Sequence, residues 1–182
     1  KNSFLERLLA LGDAGPLALL TMKKDGQPYL RMHRATFLIG MVGLNEMVQV
    51  HRGEQLHESD EALKFGLKAI AYMKLLAEKM SRKYNLRFVL EQTPAESTAY
   101  RFAKLDLRDF SPGSGKVVKG DIARGEVYYT NSTYLNVGTL VNPIDRVRKE
   151  GLFHPLIEAG SLTHIWLGES RPSKESLANF VI

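Results

Sequence analysis

The segment from Ser59 to Lys83 constrains this chain most. Leu63, Leu67, Ile70, Met73, Ala77 and Met80 recur at spacings of three and four, a stripe that suits a helix of 3.6-residue period and no strand. Asp60 and Glu61 stand at its start and Lys79, Arg82 and Lys83 at its end, the order that complements the helix dipole. Tyr84-Asn85 closes it, and Leu86 to Glu91 then alternates as a short strand. Helix is expected again from Thr93 to about Asp106.

The remaining chain reads around that unit. Phe4, Leu5, Leu8 and Leu9 have helical spacing that ends at Gly12 and Gly15-Pro16, and a turn follows at Lys23 to Gly26. From Arg34 to Val50 the chain is apolar on nearly all sides, which predicts one buried helix with Gly40 and Gly43 on a side of close approach. Strands are expected at Glu126 to Thr130 and Leu162 to Leu167, loops at Ser111 to Gly115 and at His154-Pro155, and a last helix after Ser173. Asn142-Pro143-Ile144-Asp145 reads as an N-cap, a first-turn proline and a first-turn acid opening a helix to about Glu150. Strands alternating with helices imply an α/β fold with parallel pairing. Neither a repeat nor a linker divides residues 1–182, so one section without an internal boundary is expected.

Composition narrows the chemistry. There is no cysteine, which removes disulfides, thiolate zinc sites and a cysteine nucleophile or thiyl radical from these residues. No apolar stretch reaches the roughly 18 to 20 residues of a membrane span. The net charge of +5 is spread without a run of five like charges, so no nucleic-acid arm is indicated, although a modest basic excess also suits a small polyanion. Lys1-Asn2-Ser3-Phe4 is no leader peptide and the chain stops in the apolar run Leu177 to Ile182; both ends read as cuts inside a longer chain.

Two segments carry chemistry. Leu90 to Phe102 passes from strand into helix with Thr93 as expected cap, Pro94 at the first position and Glu96 at the third, a capping-box pattern. Such a helix start also offers free amides to an anion, with the Ser97 and Thr98 hydroxyls beside them. Glu96 would repel phosphate unless it turns back onto its own backbone; the other role open to it is an acid or base facing a sugar. The second segment, Gly125 to Ser132, sets Tyr128 and Tyr129 before Thr130, Asn131 and Ser132, which reads as a ligand-facing rim or as a strand with a polar turn. Gly113-Ser114-Gly115-Lys116 is not a phosphate loop, because Phe110 stands where its first glycine belongs and Val117 follows the lysine. His33, His51, His57, His154 and His164 lack metal-ligand spacing.

In order along the chain, Ile39 to Glu46, Thr93 to Asp106, Tyr128 to Ser132 and Val141 to Val147 together resemble the large subunit of anaerobic ribonucleoside-triphosphate reductases, glycyl radical enzymes. The resemblance covers most of the chain. It implies part of a ten-stranded α/β barrel of two half-barrels, in which a glycyl radical passes its spin to a cysteine that abstracts hydrogen from the substrate ribose. The radical cysteine, the structural zinc cysteines and the glycyl motif have no counterpart here. What the matched residues imply is barrel wall and substrate loop: Thr93, Ala95, Ser97 and Thr98 for substrate phosphate, and Glu96, Tyr128, Tyr129, Asn131 and Ser132 as active-site lining. The resemblance further implies a ribonucleoside triphosphate substrate, the rest of the same subunit, a homodimer, an activating enzyme using S-adenosylmethionine and an iron-sulfur cluster, formate as a common reductant, and a cytoplasmic setting. A non-catalytic nucleotide-binding domain derived from that barrel is the alternative.

Overall fold

In the computed structural model, which describes residues 2–31, 34–167 and 170–181, the long helix is present where its periodicity requires it. The chain enters through helices α1 (Asn2–Ala10) and α2 (Ala18–Thr21) and a hairpin of β1 (Lys23–Lys24) and β2 (Gln27–Pro28). Asp25 and Gly26 turn that hairpin at φ of 55° and 74°, the left-handed values a two-residue turn demands. Next come strand β3 (Thr36–Gly40), helix α3 (Leu44–Arg52) and helix α4 (Asp60–Tyr84). The single buried helix expected over Arg34 to Val50 is therefore two elements. Thr36-Phe37-Leu38-Ile39 is β-branched and aromatic, which favours a strand, and Gly43, at φ 81°, is the left-handed N-cap from which α3 starts.

Ser59 caps α4, its Oγ accepting the Ala62 amide hydrogen at 3.1 Å, and Asn85 closes it in the left-handed region. Ile70 and Leu63 are buried, and Leu67 and Met73 pack half-buried against the same core. Strand β4 (Arg87–Glu91) runs back along α4, anchored by the Phe88 amide donating to Ser81 Oγ at 2.9 Å. It pairs in parallel with β3, from Thr36 beside Arg87 to Gly40 beside Glu91.

After β4 come helix α5 (Glu96–Asp109), the antiparallel hairpin of β5 (Lys119–Asp121) and β6 (Glu126–Tyr128), helix α6 (Pro143–Gly151) and helix α7 (Lys174–Val181). Three further expectations change. Helix α5 begins at Glu96, with Ala95 as its N-cap and no side chain capping it; Thr93 Oγ1 donates instead to Glu91 Oε2 at 3.2 Å. There is no capping box. The alternating run Leu162 to Leu167 has no regular structure and joins no sheet among the described residues, because its alternation meets no neighbouring strand; Leu162 donates its amide hydrogen to the side chain of Gln92. Parallel pairing is confined to β3 and β4, and the three two-stranded sheets of the described residues do not close into a barrel. Mixed α/β content stands, and among the described residues no helix is long and apolar enough to cross a membrane.

A direct check separates the two helix starts. Ser59→Ala should cost about 1 kcal/mol, as loss of an N-cap does, whereas Thr93→Ala should escape that loss because Thr93 caps nothing. Equal midpoint shifts in urea unfolding of the two variants would contradict this assignment.

Candidate functional site

The rim read from sequence at Tyr128 to Ser132 is held by residues distant in sequence. Glu46, in the first turn of α3, is buried; its Oε2 accepts the Thr130 amide hydrogen at 3.1 Å and its Oε1 the Thr130 hydroxyl at 2.6 Å. Gly43 donates its amide hydrogen to the Thr130 carbonyl at 2.8 Å, and Val42 bridges Asn131. Lys119 Nζ stands 4.0 Å from the same carboxylate, and Asn45 Nδ2 donates to it. Behind the rim, the Tyr129 hydroxyl donates to Asp106 Oδ2 at 2.7 Å. Burial first, and then the Asp106 carboxylate, raise the Tyr129 phenol far above its ordinary value, and burial raises Tyr128 as well. Both phenols therefore stay neutral.

In front of the rim is a cavity of about 330 Å³, walled by the start of α5, the rim, α6 and the extended run of residues 161–167. Of the residues expected to line a site, Glu96, Tyr128, Tyr129 and Asn131 do so. Ser132 is fully buried behind them at φ 43°, its hydroxyl without a partner among the described residues. Thr93, Ala95, Ser97 and Thr98 do not line the cavity, although their neighbours Pro94 and Glu96 do.

Sequence reading missed the floor of the cavity. Arg146 and Glu150 lie one helical turn apart on α6, 7% and 1% exposed, with Arg146 Nη1 donating to Glu150 Oε1 at 3.1 Å. That oxygen also accepts the Leu135 amide hydrogen at 3.0 Å. Arg146 spends its terminal nitrogens on the Leu135 and Asn136 carbonyls as well. Burial raises the Glu150 carboxyl above its ordinary value, against the lowering influence of the Leu135 amide and Arg146. The i,i+4 spacing of an arginine and a glutamate on the predicted helix was the available signal. His164 sits between Tyr134, ring centroids 5.6 Å apart and edge-on, and Trp166, 5.9 Å apart and stacked. His51 packs near Phe65 and His154 near Thr163, while His33 lies outside the described residues. Among those residues no three His, Asp or Glu side chains gather as metal ligands.

The first turn of α5 leaves its amides without a side-chain cap, so the positive end of a 14-residue helix opens beside the cavity. Successive residues in that turn diverge by roughly 100°, which separates Glu96, on the cavity, from Ser97 and Thr98. Ser97 is exposed and Thr98 half-buried in that turn.

Comparison with known proteins gives one consistent match. The model of a family described as anaerobic ribonucleoside-triphosphate reductase matches residues 5–182. A Salmonella typhimurium protein named anaerobic ribonucleoside-triphosphate reductase is 29% identical over 132 residues, 72% of this chain and 18% of that protein. Its Escherichia coli namesake is 27% identical over 146 residues, 80% of this chain and 20% of its own length. One from Enterobacteria phage T4 is 22% identical over 144 residues, 79% of this chain and 21% of its own. The chain spans about a fifth of the length of these curated relatives.

Proposed function

Because this chain belongs to the anaerobic ribonucleoside-triphosphate reductase family, we propose that it is the section of such an enzyme that grips the substrate's phosphates during reduction of a ribonucleoside triphosphate to its 2′-deoxy form. Residues 1–182 act as one section of the catalytic α/β barrel. The parallel pair β3–β4 supports that reading: among the described residues each strand pairs only with the other, and Leu38 in β3 is 52% exposed, an apolar surface a neighbouring element of a barrel would cover.

The observation that carries the phosphate assignment is the uncapped start of α5, fed directly by a parallel strand. The amides of Ala95, Ser97 and Thr98 and the hydroxyls of Ser97 and Thr98 donate to the anion, and Thr93, its own hydroxyl held by Glu91, sets the approach of the chain to that turn. Glu96, Tyr128, Tyr129 and Asn131 line the neighbouring substrate space with Ser132 behind them; the neutral Tyr128 phenol acts there as a hydrogen-bond donor rather than a base, while Tyr129 donates to Asp106. In the family's chemistry a glycyl radical, generated by an activating enzyme with S-adenosylmethionine and an iron-sulfur cluster, supplies hydrogen abstraction through a cysteine. This chain has no cysteine, so neither that thiol nor a cysteine zinc site is built from its residues, and their work here is binding and orientation. The enzyme is a cytoplasmic homodimer in this reading.

The test is Ser97→Ala in the full-length protein. Binding of a nucleoside triphosphate should weaken by roughly 0.5 to 1.5 kcal/mol for a neutral hydrogen bond, up to about 3 where the partner is charged, while the corresponding nucleoside is unaffected. Equal weakening of both ligands would remove Ser97 from the phosphate.

A further inference from the structure

We infer that Glu46 is a positioning residue for the reductase reaction: through Thr130 directly, and through Lys119 on the other strand of the hairpin, it fixes where Tyr128 and Asn131 stand in the cavity wall. This rests on the reading of the cavity as substrate space, and adds what sets the place of its wall. Glu46 and Lys119 are not among the residues that border the cavity. Glu46 borders instead a groove on the other side of the rim, with Met47, Val50 and Phe102.

The argument begins with where the Glu46 carboxylate spends its lone pairs. It is 3% exposed, and a carboxylate can accept about four hydrogen bonds. Oε2 takes the Thr130 amide hydrogen, and Oε1 takes the Thr130 hydroxyl and the Asn45 side-chain amide. Two of the three donors therefore belong to one residue, whose backbone and side chain are fixed together. Gly43, three residues before Glu46, holds the carbonyl of the same residue. Thr130 is thus gripped at every polar group it has by the start of α3, and its neighbours Tyr129 and Asn131 border the cavity.

The second mount is on the opposite strand of the hairpin. Lys119 opens β5 and stands across from Tyr128 in the β5–β6 register. Its ammonium donates to Gln49 Oε1 and lies 4.0 Å from Glu46 Oε1. Glu46 and Gln49 are three residues apart, so they share one face of α3. The Lys119 side chain is only 10% exposed, and a charge that far from water is retained only where it is paired. One helix face therefore holds both strands at the same end of the hairpin. Between them there is little slack: Gly120 follows Lys119 at φ 93°, and a Cβ there would collide with the Glu126 carbonyl.

A wall held this way affects turnover more than affinity. Affinity is spread over many contacts, whereas the reacting atoms must be aligned, and a misplacement of about 1 Å can cost on the order of 10²-fold in rate. Loosening the mount should therefore lower kcat and leave KM nearly in place.

The experiment uses the full-length, activated enzyme with a ribonucleoside triphosphate as substrate. Glu46→Gln keeps the size of the side chain but exchanges one acceptor oxygen for a donor; it should lower kcat about tenfold with KM changed by less than about threefold. Lys119→Met, which keeps the stem and removes the ammonium, should lower kcat in the same sense. Because both cut one mount, the double variant should lose no more than the more affected single one. If Glu46→Gln does not fold, Lys119→Met, which leaves the Thr130 bonds in place, decides alone. Wild-type kcat in the folded variants, a raised KM at unchanged kcat, or losses that multiply in the double variant would each overturn the positioning role. A wild-type enzyme that reduces no ribonucleoside triphosphate strikes the functional reading and the positioning role with it, whereas wild-type turnover that the variants leave intact strikes the positioning role alone.

Discussion

Arg146→Met is expected to lower the unfolding free energy by about 3 to 5 kcal/mol near neutral pH, the usual consequence of leaving one member of a buried ion pair without the other. The pair is close to fully buried, and Arg146 also ties α6 to the carbonyls of Leu135 and Asn136. The loss should depend on pH in a definite direction. Burial holds the Glu150 carboxyl above its unfolded value of about 4.5, so the folded state retains a proton that the unfolded state releases. Stability from this group is therefore fully present below the unfolded value and is lost as pH rises through the folded one. Without Arg146 a lowering influence disappears, the folded value rises further, and the variant loses more than the wild type on the way to neutral pH. Urea unfolding at about pH 4 and about pH 8 should show the smaller deficit in acid. A deficit that is the same at both would mean that Glu150 does not ionise in the folded protein. Adding Glu150→Leu to the variant should restore part of the loss at neutral pH, since it removes the stranded charge.

Phe153→Ala should cost about 3 to 5 kcal/mol at any pH, as truncation of a fully buried aromatic does. Phe153 is 0% exposed and follows α6 directly, its amide hydrogen donated to the Glu150 carbonyl. Its ring packs on α4 at Gly66: a Cβ there would lie 3.6 Å from Phe153 Cζ and only 2.5 Å from a methyl of Leu56. The missing side chain on α4 is what lets the ring and Leu56 sit so near its backbone. A large fall in the urea midpoint with an unchanged denaturant slope would show a cavity of this kind. A fall of less than about 1 kcal/mol would mean that the neighbours collapse into the gap.

The two helices whose ends are chemically marked were legible in the sequence. Ser59 and Asp60 before an apolar stripe, and Asn142-Pro143 before another, give boundaries within a residue or two of α4 and α6. Where the signal was only hydrophobicity it failed, because a continuous apolar run does not separate a strand from a helix; β3 and α3 merged into one element for that reason. Leu162 to Leu167 failed in the opposite way. Alternation describes a strand's two faces, but a sheet also requires a partner edge, and that is a property of the rest of the molecule. Tyr128, Tyr129 and Asn131, which border the cavity, stood out in the sequence because a rim of aromatic and small polar residues is local. Glu46, Arg146 and Glu150 were not singled out, since their importance lies in partners up to 84 residues away. The capping box expected at Thr93 is absent: the helix starts at Glu96 with no side-chain cap, and Thr93 bonds backwards to Glu91.

The carboxylate of Glu46 closes a loop of 84 residues when it meets Thr130. Closing so long a loop costs chain entropy before any bond rewards it, whereas α4 and its turn into β4 need only neighbours in sequence. That difference gives an expected order of assembly: the long helix and its strand first, and the rim only when both ends of the chain between them have been gathered in. The rim is therefore expected among the last parts to form, and a chain halted before the Glu46–Thr130 contact would carry the long helix and its strand without the wall that borders the cavity.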